Sequence, residues 1–339
     1  MKAAIFAIQL FLSGVLLAGC SLIITDPNPT GTMATAEPSA TAEPSTTQSA
    51  TSATQTTNQE ENSMQLIDTI NLSTPIHDLA LDNAGNLYVV ESFAATGNHR
   101  IHKFDPTGAT LTSWGSGGKG DGQFAFATPP NGPPVNGGFI TVDEAGDVYI
   151  SDTFNHRVQK FDANGAFLGI WTNSDKAGAP FEMPGPLSTD GQGHVYIADF
   201  QGVYQFALDG TYMRTFAAAG EVGVDSAGNR YIPNAFQNQV QKFDAAGVAI
   251  KSWGGPGRAD GQFDFPLFLV VDEQDRVYVA DRTGRIQQFA ADGTFLGKWN
   301  DPGNGDGPFS QTVGVALDQA GNLYIWVVHQ PSIYRVRTR

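Results

Sequence analysis

Val142-Asp143-Glu144-Ala145-Gly146-Asp147-Val148-Tyr149-Ile150 decides the fold, because the same phrase keeps returning along the chain. It stands earlier as Leu81-Asp82-Asn83-Ala84-Gly85-Asn86-Leu87-Tyr88-Val89. It comes back around Asp190 and Tyr196, Asp225 and Tyr231, Asp272 and Tyr278, and Asp318 and Tyr324, six copies in all. The phrase is a hairpin: Asp opens a tight turn with its own side-chain hydrogen bonds, Gly supplies a positive φ, and Tyr begins a strand of alternating apolar residues. In the fifth copy Asp275 replaces the glycine, and Asp is a residue that tolerates left-handed backbone.

A second phrase follows in five of the six units, first as Lys103-Phe104-Asp105-Pro106-Thr107-Gly108 and Lys160-Phe161-Asp162-Ala163-Asn164-Gly165, then ending at Gly210, Gly247 and Gly293. Each copy leads into an apolar strand that closes on Trp114, Trp171, Phe216, Trp253 or Trp299. Two hairpins make one four-stranded blade. The sixth unit stops at Ile333-Tyr334-Arg335-Val336-Arg337, one strand short, while Gln65-Leu66-Ile67-Asp68-Thr69-Ile70-Asn71-Leu72 alternates as a strand ahead of the first repeat. The expected fold is therefore all-β: a six-bladed β-propeller of four-stranded antiparallel blades, its N-terminal strand closing the last blade. The 39 glycines, 22 phenylalanines and 16% charged residues suit short strands and tight turns.

The phrases resemble the NHL repeat, with its Asp-containing first turn, Tyr-Val-Ala-Asp strand end, Asn-x-Arg step and Lys-Phe-Asp turn. Gly146 to Phe161, with Asp152, Asn155, His156 and Arg157, carries the likeness most fully, and it extends from Gln65 to Arg339. The last blade departs most, with Trp326-Val327-Val328-His329 where the Ala-Asp step belongs. The resemblance implies a fold and leaves function open, since related propellers include adhesion, sensor and RNA-binding modules as well as lyases and lactonases.

Ahead of the propeller, Lys2 and the apolar run Ala3 to Leu17 meet Leu17-Ala18-Gly19-Cys20. This pattern predicts a lipoprotein signal peptide over residues 1–19 and a lipidated Cys20. Residues 20–63 turn to Thr, Ser, Ala, Pro, Gln and Glu, a composition with too little apolar surface to fold. They read as a disordered tether of roughly 35 Å root-mean-square span, with the propeller over 64–339. The expected location is outside the cytoplasm, anchored by lipid to a bacterial cell membrane or outer membrane. Thirty-four acidic against 19 basic residues give a net charge of −15, which repels a phosphate backbone and argues against nucleic acid as a partner. Cys20 is the sole cysteine, so no disulfide forms within the chain. A monomer is expected.

In a propeller of this kind the first strand of each blade lines the axis. Counting four residues back from each turn aspartate places Asp78, Phe139, Pro186, Glu221, Phe268 and Gly314 at the channel mouth. Two residues further in come Ala80, Thr141, Ser188, Gly223, Val270 and Ala316. Six-fold geometry sets Asp78 across from Glu221 and Phe139 across from Phe268, a seat for a cationic or amphipathic ligand. His77 and His329 fall on adjacent blades near the same face. Asp152 and Asp281 have Arg157 and Arg285 to pair with and read as structural, and Glu91 with Arg100 as a longer version of that pair. Asp199 has no arginine after it and is expected to be released for ligand or solvent. The Gly-rich stretches Gly118–Phe124 and Gly257–Phe263 lack the helix that a phosphate loop needs and read as links between blades.

The expected function is a binding module of the cell surface, taking a protein, peptide or glycan at its loop face and needing no cofactor. The alternative is an enzyme: a lyase of the virginiamycin B or peptidyl amidoglycolate kind, or a lactonase-type hydrolase. That reading calls for calcium or zinc at the channel mouth, with Asp78 and Glu221 as the candidate ligands.

Overall fold

The computed structural model describes residues 65–93, 98–127, 137–172, 178–199, 201–216, 220–299 and 313–338. The expected signal peptide, Cys20 and the tether lie outside the described residues. Six four-stranded antiparallel sheets form the blades of the propeller, and the only helical element among the described residues is a single 3-10 turn, Thr153–Asn155.

Blade 1 runs through Asp78–Leu81, Leu87–Phe93, Asn98–Phe104 and Thr110–Trp114, from the axis outward. Blades 2 to 5 repeat the pattern with inner strands Ile140–Val142, Leu187–Thr189, Gly223–Val224 and Pro266–Val271. Blade 6 holds Val313–Leu317, Asn322–Val327 and Ser332–Arg337, and its outer strand is Gln65–Asn71 from the start of the domain. That strand pairs antiparallel with Ser332–Arg337, matching Ile70 to Ile333 and Asn71 to Ser332, and the Arg335 guanidinium grips the Asp68 carboxylate. The closure expected from the missing strand is therefore present.

The core lies between blades. Tyr88, Val90 and Ile101 of blade 1 share one buried cluster with Ile140, Val148, Ile150 and Phe161 of blade 2. Tyr324, Trp326 and Ile333 of blade 6 share another with Leu79, Leu87 and Phe104 of blade 1. Each repeat thus presents one apolar face to each neighbour, so no blade can bury its surface alone.

Two local devices register the blades. Asp143 Oδ1 accepts the amides of Ala145 and Asp147 at 3.0 and 2.9 Å, while its Oδ2 accepts the Tyr149 phenol at 3.0 Å, which ties the first turn to the strand that follows. Asp275, in place of a glycine, adopts φ 60°, the left-handed geometry expected of it. The second hairpin interlocks neighbours: Gly165 of blade 2 lies under Trp114 of blade 1, so close that an added Cβ would stand 2.6 Å from the indole. Gly210 and Gly293 lie under Trp171 and Trp253 in the same way, each at 2.7 Å. Gly108 completes the circle against Ile70 of the closing strand at 2.9 Å.

Candidate functional site

The inner strand of every blade is paired on one side only, so its other edge turns toward the axis with unpaired amides. Side chains of the preceding blade satisfy several of them. Asp78 Oδ2 of blade 1 accepts the Ile140 amide of blade 2 at 2.9 Å. Glu221, just ahead of the blade 4 inner strand, accepts the Leu269 amide of blade 5 at 3.2 Å, and Ser188 Oγ of blade 3 accepts that of Val222 at 3.2 Å. Opposite sides of the ring thus carry equivalent carboxyls in equivalent roles.

The two carboxyls also sense each other. Burial lifts the Asp78 carboxyl to about 7, against the opposing pull of the Ile140 and Leu79 amides. Burial first, and then the Asp78 charge, holds Glu221 well above the ordinary carboxylate range. The two carboxyls therefore lie within electrostatic reach of each other. Neither has a lysine or arginine partner among the described residues.

The aromatic pair behaves otherwise than expected. Phe139 and Phe268 are 1% and 3% exposed and share one buried cluster with side chains of blades 5 and 6, so they pack as core and do not frame an open seat for a cation. Phe139 tilts against the His77 ring at 5.3 Å, and Phe268 meets Trp326 edge-on at 6.1 Å. Trp326 in turn lies over Gly314, where an added Cβ would stand 2.0 Å from the indole; this is why a glycine occupies that mouth position. His77 is buried, stacks on His329 at 5.6 Å, and neither of its ring nitrogens meets a hydrogen-bond partner. Burial and the neighbouring His329 lower it to about 3, so the ring is neutral at any ordinary pH.

Asp199 is corrected by the structure. Its oxygens accept the amides of Glu182 and Met183 at 2.7 and 2.9 Å, which takes the place of the missing arginine and leaves it engaged in holding the link before blade 3. Asp152 and Asp281 are structural as expected: Arg157 reaches Asp152 at 2.6 Å and also the carbonyls of Lys119, Gly120 and Gln123, clipping the link between blades 1 and 2. Arg285 repeats this with Asp281 at 2.7 Å and the carbonyls of Arg258 and Gln262. The Gly-rich stretches are these clipped links, their amides turned to neighbours within the chain such as Gln123 and Gln159. Glu91 and Arg100 stand opposite in register, but the Glu91 carboxylate takes His102 Nε2 at 2.9 Å and Arg100 reaches toward the Gly115 carbonyl.

Along the axis runs a cavity of about 330 Å³, with Ala80, Thr141, Ser188, Gly223, Val270 and Ala316 all among its lining, as counted from the sequence. Glu221 stands at one end of it. Among the described residues no three His, Cys, Asp or Glu side chains gather so as to hold a metal. Among the described residues Asp78 and Glu221 have no third His, Cys, Asp or Glu grouped with them, and each already accepts a backbone amide.

The pattern of the NHL repeat matches residues 138–161. The chain is 31% identical over 97 residues to NHL repeat-containing protein 3 of Homo sapiens, a stretch covering 28% of this chain and 25% of that protein, so only a quarter of the relative's length is spanned. In architecture it is similar to virginiamycin B lyase from Staphylococcus aureus, with 12% identity, a TM-score of 0.53, and coverage of 81% of this chain and 99% of that one. It is similar also to a gluconolactonase from Xanthomonas campestris, with 15% identity, a TM-score of 0.56, and coverage of 81% and 91%. At such identities these likenesses bear on the fold alone. The chain is a six-bladed β-propeller carrying the NHL repeat.

Proposed function

We propose that this propeller is an exported binding module of the bacterial envelope, held by lipid on Cys20 and lifted from the membrane by the tether over residues 20–63. The observation that carries the reading is the disposition of its acidic groups. Asp152, Asp199 and Asp281 hold links between blades, while Asp78 and Glu221 each accept an inner-strand amide and, among the described residues, have no third His, Cys, Asp or Glu grouped with them. Such an arrangement suits recognition better than metal-assisted chemistry. The ligand class at the loop face is a protein, peptide or glycan.

Fractionation of bacteria making the full chain tests the anchor. Wild type should sediment with membranes and lose its propeller to protease added to intact or outer-membrane-permeabilised cells, while Cys20→Ser should leave the membrane fraction. Identical distribution of both forms would contradict the proposal.

A second reading, a lyase or lactonase, is favoured by the His77 and His329 stack beside Asp78, a set that supplies acid and base groups at one place. Gluconolactone and quinupristin serve as probes for it. The binding-module reading expects no turnover of either by the full chain; turnover abolished by His329→Ala would establish the enzyme instead.

A further inference from the structure

Every blade ends in an outer strand that, among the described residues, is paired on one side only, so the rim of the ring presents six strand edges. A bare edge offers backbone donors and acceptors to any other extended chain, and charge on the edge is a common guard against that. Four of the six edges carry such a charge: Asp68 in Gln65–Asn71, Arg214 in Tyr212–Phe216, Lys251 in Ala249–Gly254 and Lys298 in Phe295–Trp299. The edge of blade 1, Thr110–Trp114, is uncharged but carries the hydroxyls of Thr110, Thr112 and Ser113. The edge of blade 2, Phe167-Leu168-Gly169-Ile170-Trp171, has neither charge nor hydroxyl.

That edge is also open. Phe167 is 36% and Leu168 53% exposed, and Gly169, Ile170 and Trp171 are all partly exposed. Leu168 stands at a bulge, matched to no residue of the neighbouring strand Arg157–Phe161.

The order of residues along the strand selects its partner. An antiparallel pairing of two copies about a two-fold axis at Gly169 sets Leu168 against Ile170 and Phe167 against Trp171, apolar beside apolar and aromatic beside aromatic. The same operation on blade 3 or blade 4 would set Arg214 or Lys251 against itself, and on blade 5 it would set Lys298 against Leu296. On blade 1 it would set Leu111 against Ser113. Blade 2 alone has an edge whose side chains complement themselves.

We propose that the outer strand of blade 2 is a self-association edge, at which two copies of this chain pair Phe167–Trp171 antiparallel into one continuous sheet across a two-fold axis. The result is a reversible dimer in place of the monomer expected from the sequence. It goes beyond the binding-module reading and does not rest on it. Each copy has a net charge of −15, so the two bodies repel at long range and salt screens that repulsion. Added salt therefore tightens this dimer, whereas it would loosen one held by ion pairs.

Sedimentation velocity on the full chain in one mild detergent should show a monomer–dimer equilibrium that moves toward dimer as salt rises. Leu168→Lys gives blade 2 the kind of charge other edges carry, at an exposed site, and should weaken the dimer at least tenfold. Leu111→Lys, at the matching place on blade 1 and 54% exposed, should leave it unchanged. In a Cys20→Ser background, which leaves no other thiol, oxidation of Gly169→Cys should give a covalent dimer, since a side chain added there meets no atom within 4 Å. Thr112→Cys, the matching place on blade 1, should not cross-link, and this second pair decides the matter if the lysine variant fails to fold. A monomer at every concentration and salt, equal weakening by Leu168→Lys and Leu111→Lys, or equal cross-linking of the two cysteine variants would overturn the proposal.

Discussion

Asp78 and Asp152 are both buried acids, yet only Asp152 has a guanidinium beside it. Asp152 is fully buried with Arg157 Nε at 2.6 Å and donors from Ala125, Asn155 and Gln159 around it. Removing the guanidinium in Arg157→Ala leaves that carboxylate without its cation and takes a donor from three link carbonyls, and urea unfolding should report a loss of about 3–5 kcal/mol. A loss under about 1 kcal/mol would show that the clip is ornamental. Asp78 has no cation, and the folded chain holds its proton more tightly than the unfolded one does. Stability therefore falls as pH rises from about 4 through about 7, because ionising the group then costs more in the fold than outside it. Asp78→Asn keeps the acceptor for Ile140 and should match wild type near pH 4 while exceeding it at pH 8 by on the order of 2 kcal/mol. Thermal unfolding at the two pH values measures this, and a variant less stable at pH 8 would refute it. The Asp-Arg pairs were legible in the sequence because both partners sit inside one repeat. The capping of Asp199 was not, because its partners are backbone amides of Glu182 and Met183, in a link that carries no repeat signature.

The hairpin is the element that makes the blades, and its glycines do two different things. Gly146 has φ 87° and leaves room, the nearest atom to an added Cβ being Ala163 Cβ at 3.6 Å. Gly165 has the same φ but lies 2.6 Å from the Trp114 indole. Gly146→Ala should therefore cost only the left-handed backbone, about 1–2 kcal/mol. Gly165→Ala adds the overpacking of blade 1 against blade 2, a further 1–3 kcal/mol or so. Comparing the two denaturation midpoints, with tryptophan fluorescence as the probe, separates the roles; equal losses would mean that the indole moves aside freely. The turn chemistry of both phrases was readable because it is local. That Gly165 receives a tryptophan from the neighbouring blade was not, because nothing along one blade states what the next presses against it.

For the molecule as a whole, closure converts six weak units into one ring. The outer strand of blade 6 comes from Gln65–Asn71, so the two ends of the domain share a sheet. Ile70 is 4% exposed and also packs against Gly108 of blade 1, so Ile70→Asp buries an unpaired charge at the seam. Its thermal midpoint should drop by roughly 10 °C, as a loss of several kcal/mol implies for a domain of this size. The ring count followed from the six copies of the turn phrase, and the strand order and the closing strand from the missing strand of the last repeat. The burial of Phe139 and Phe268 did not follow, because it depends on how side chains from opposite blades fill the axis. The reading of this ring as a binding module, with two axial carboxyls in place of a metal centre, is met most directly by plasma mass spectrometry on the full chain purified without chelator. No stoichiometric divalent metal, and thermal unfolding unmoved by added chelator, is the expected result; a stoichiometric calcium or zinc that disappears when Asp78 and Glu221 are both changed to alanine would contradict it.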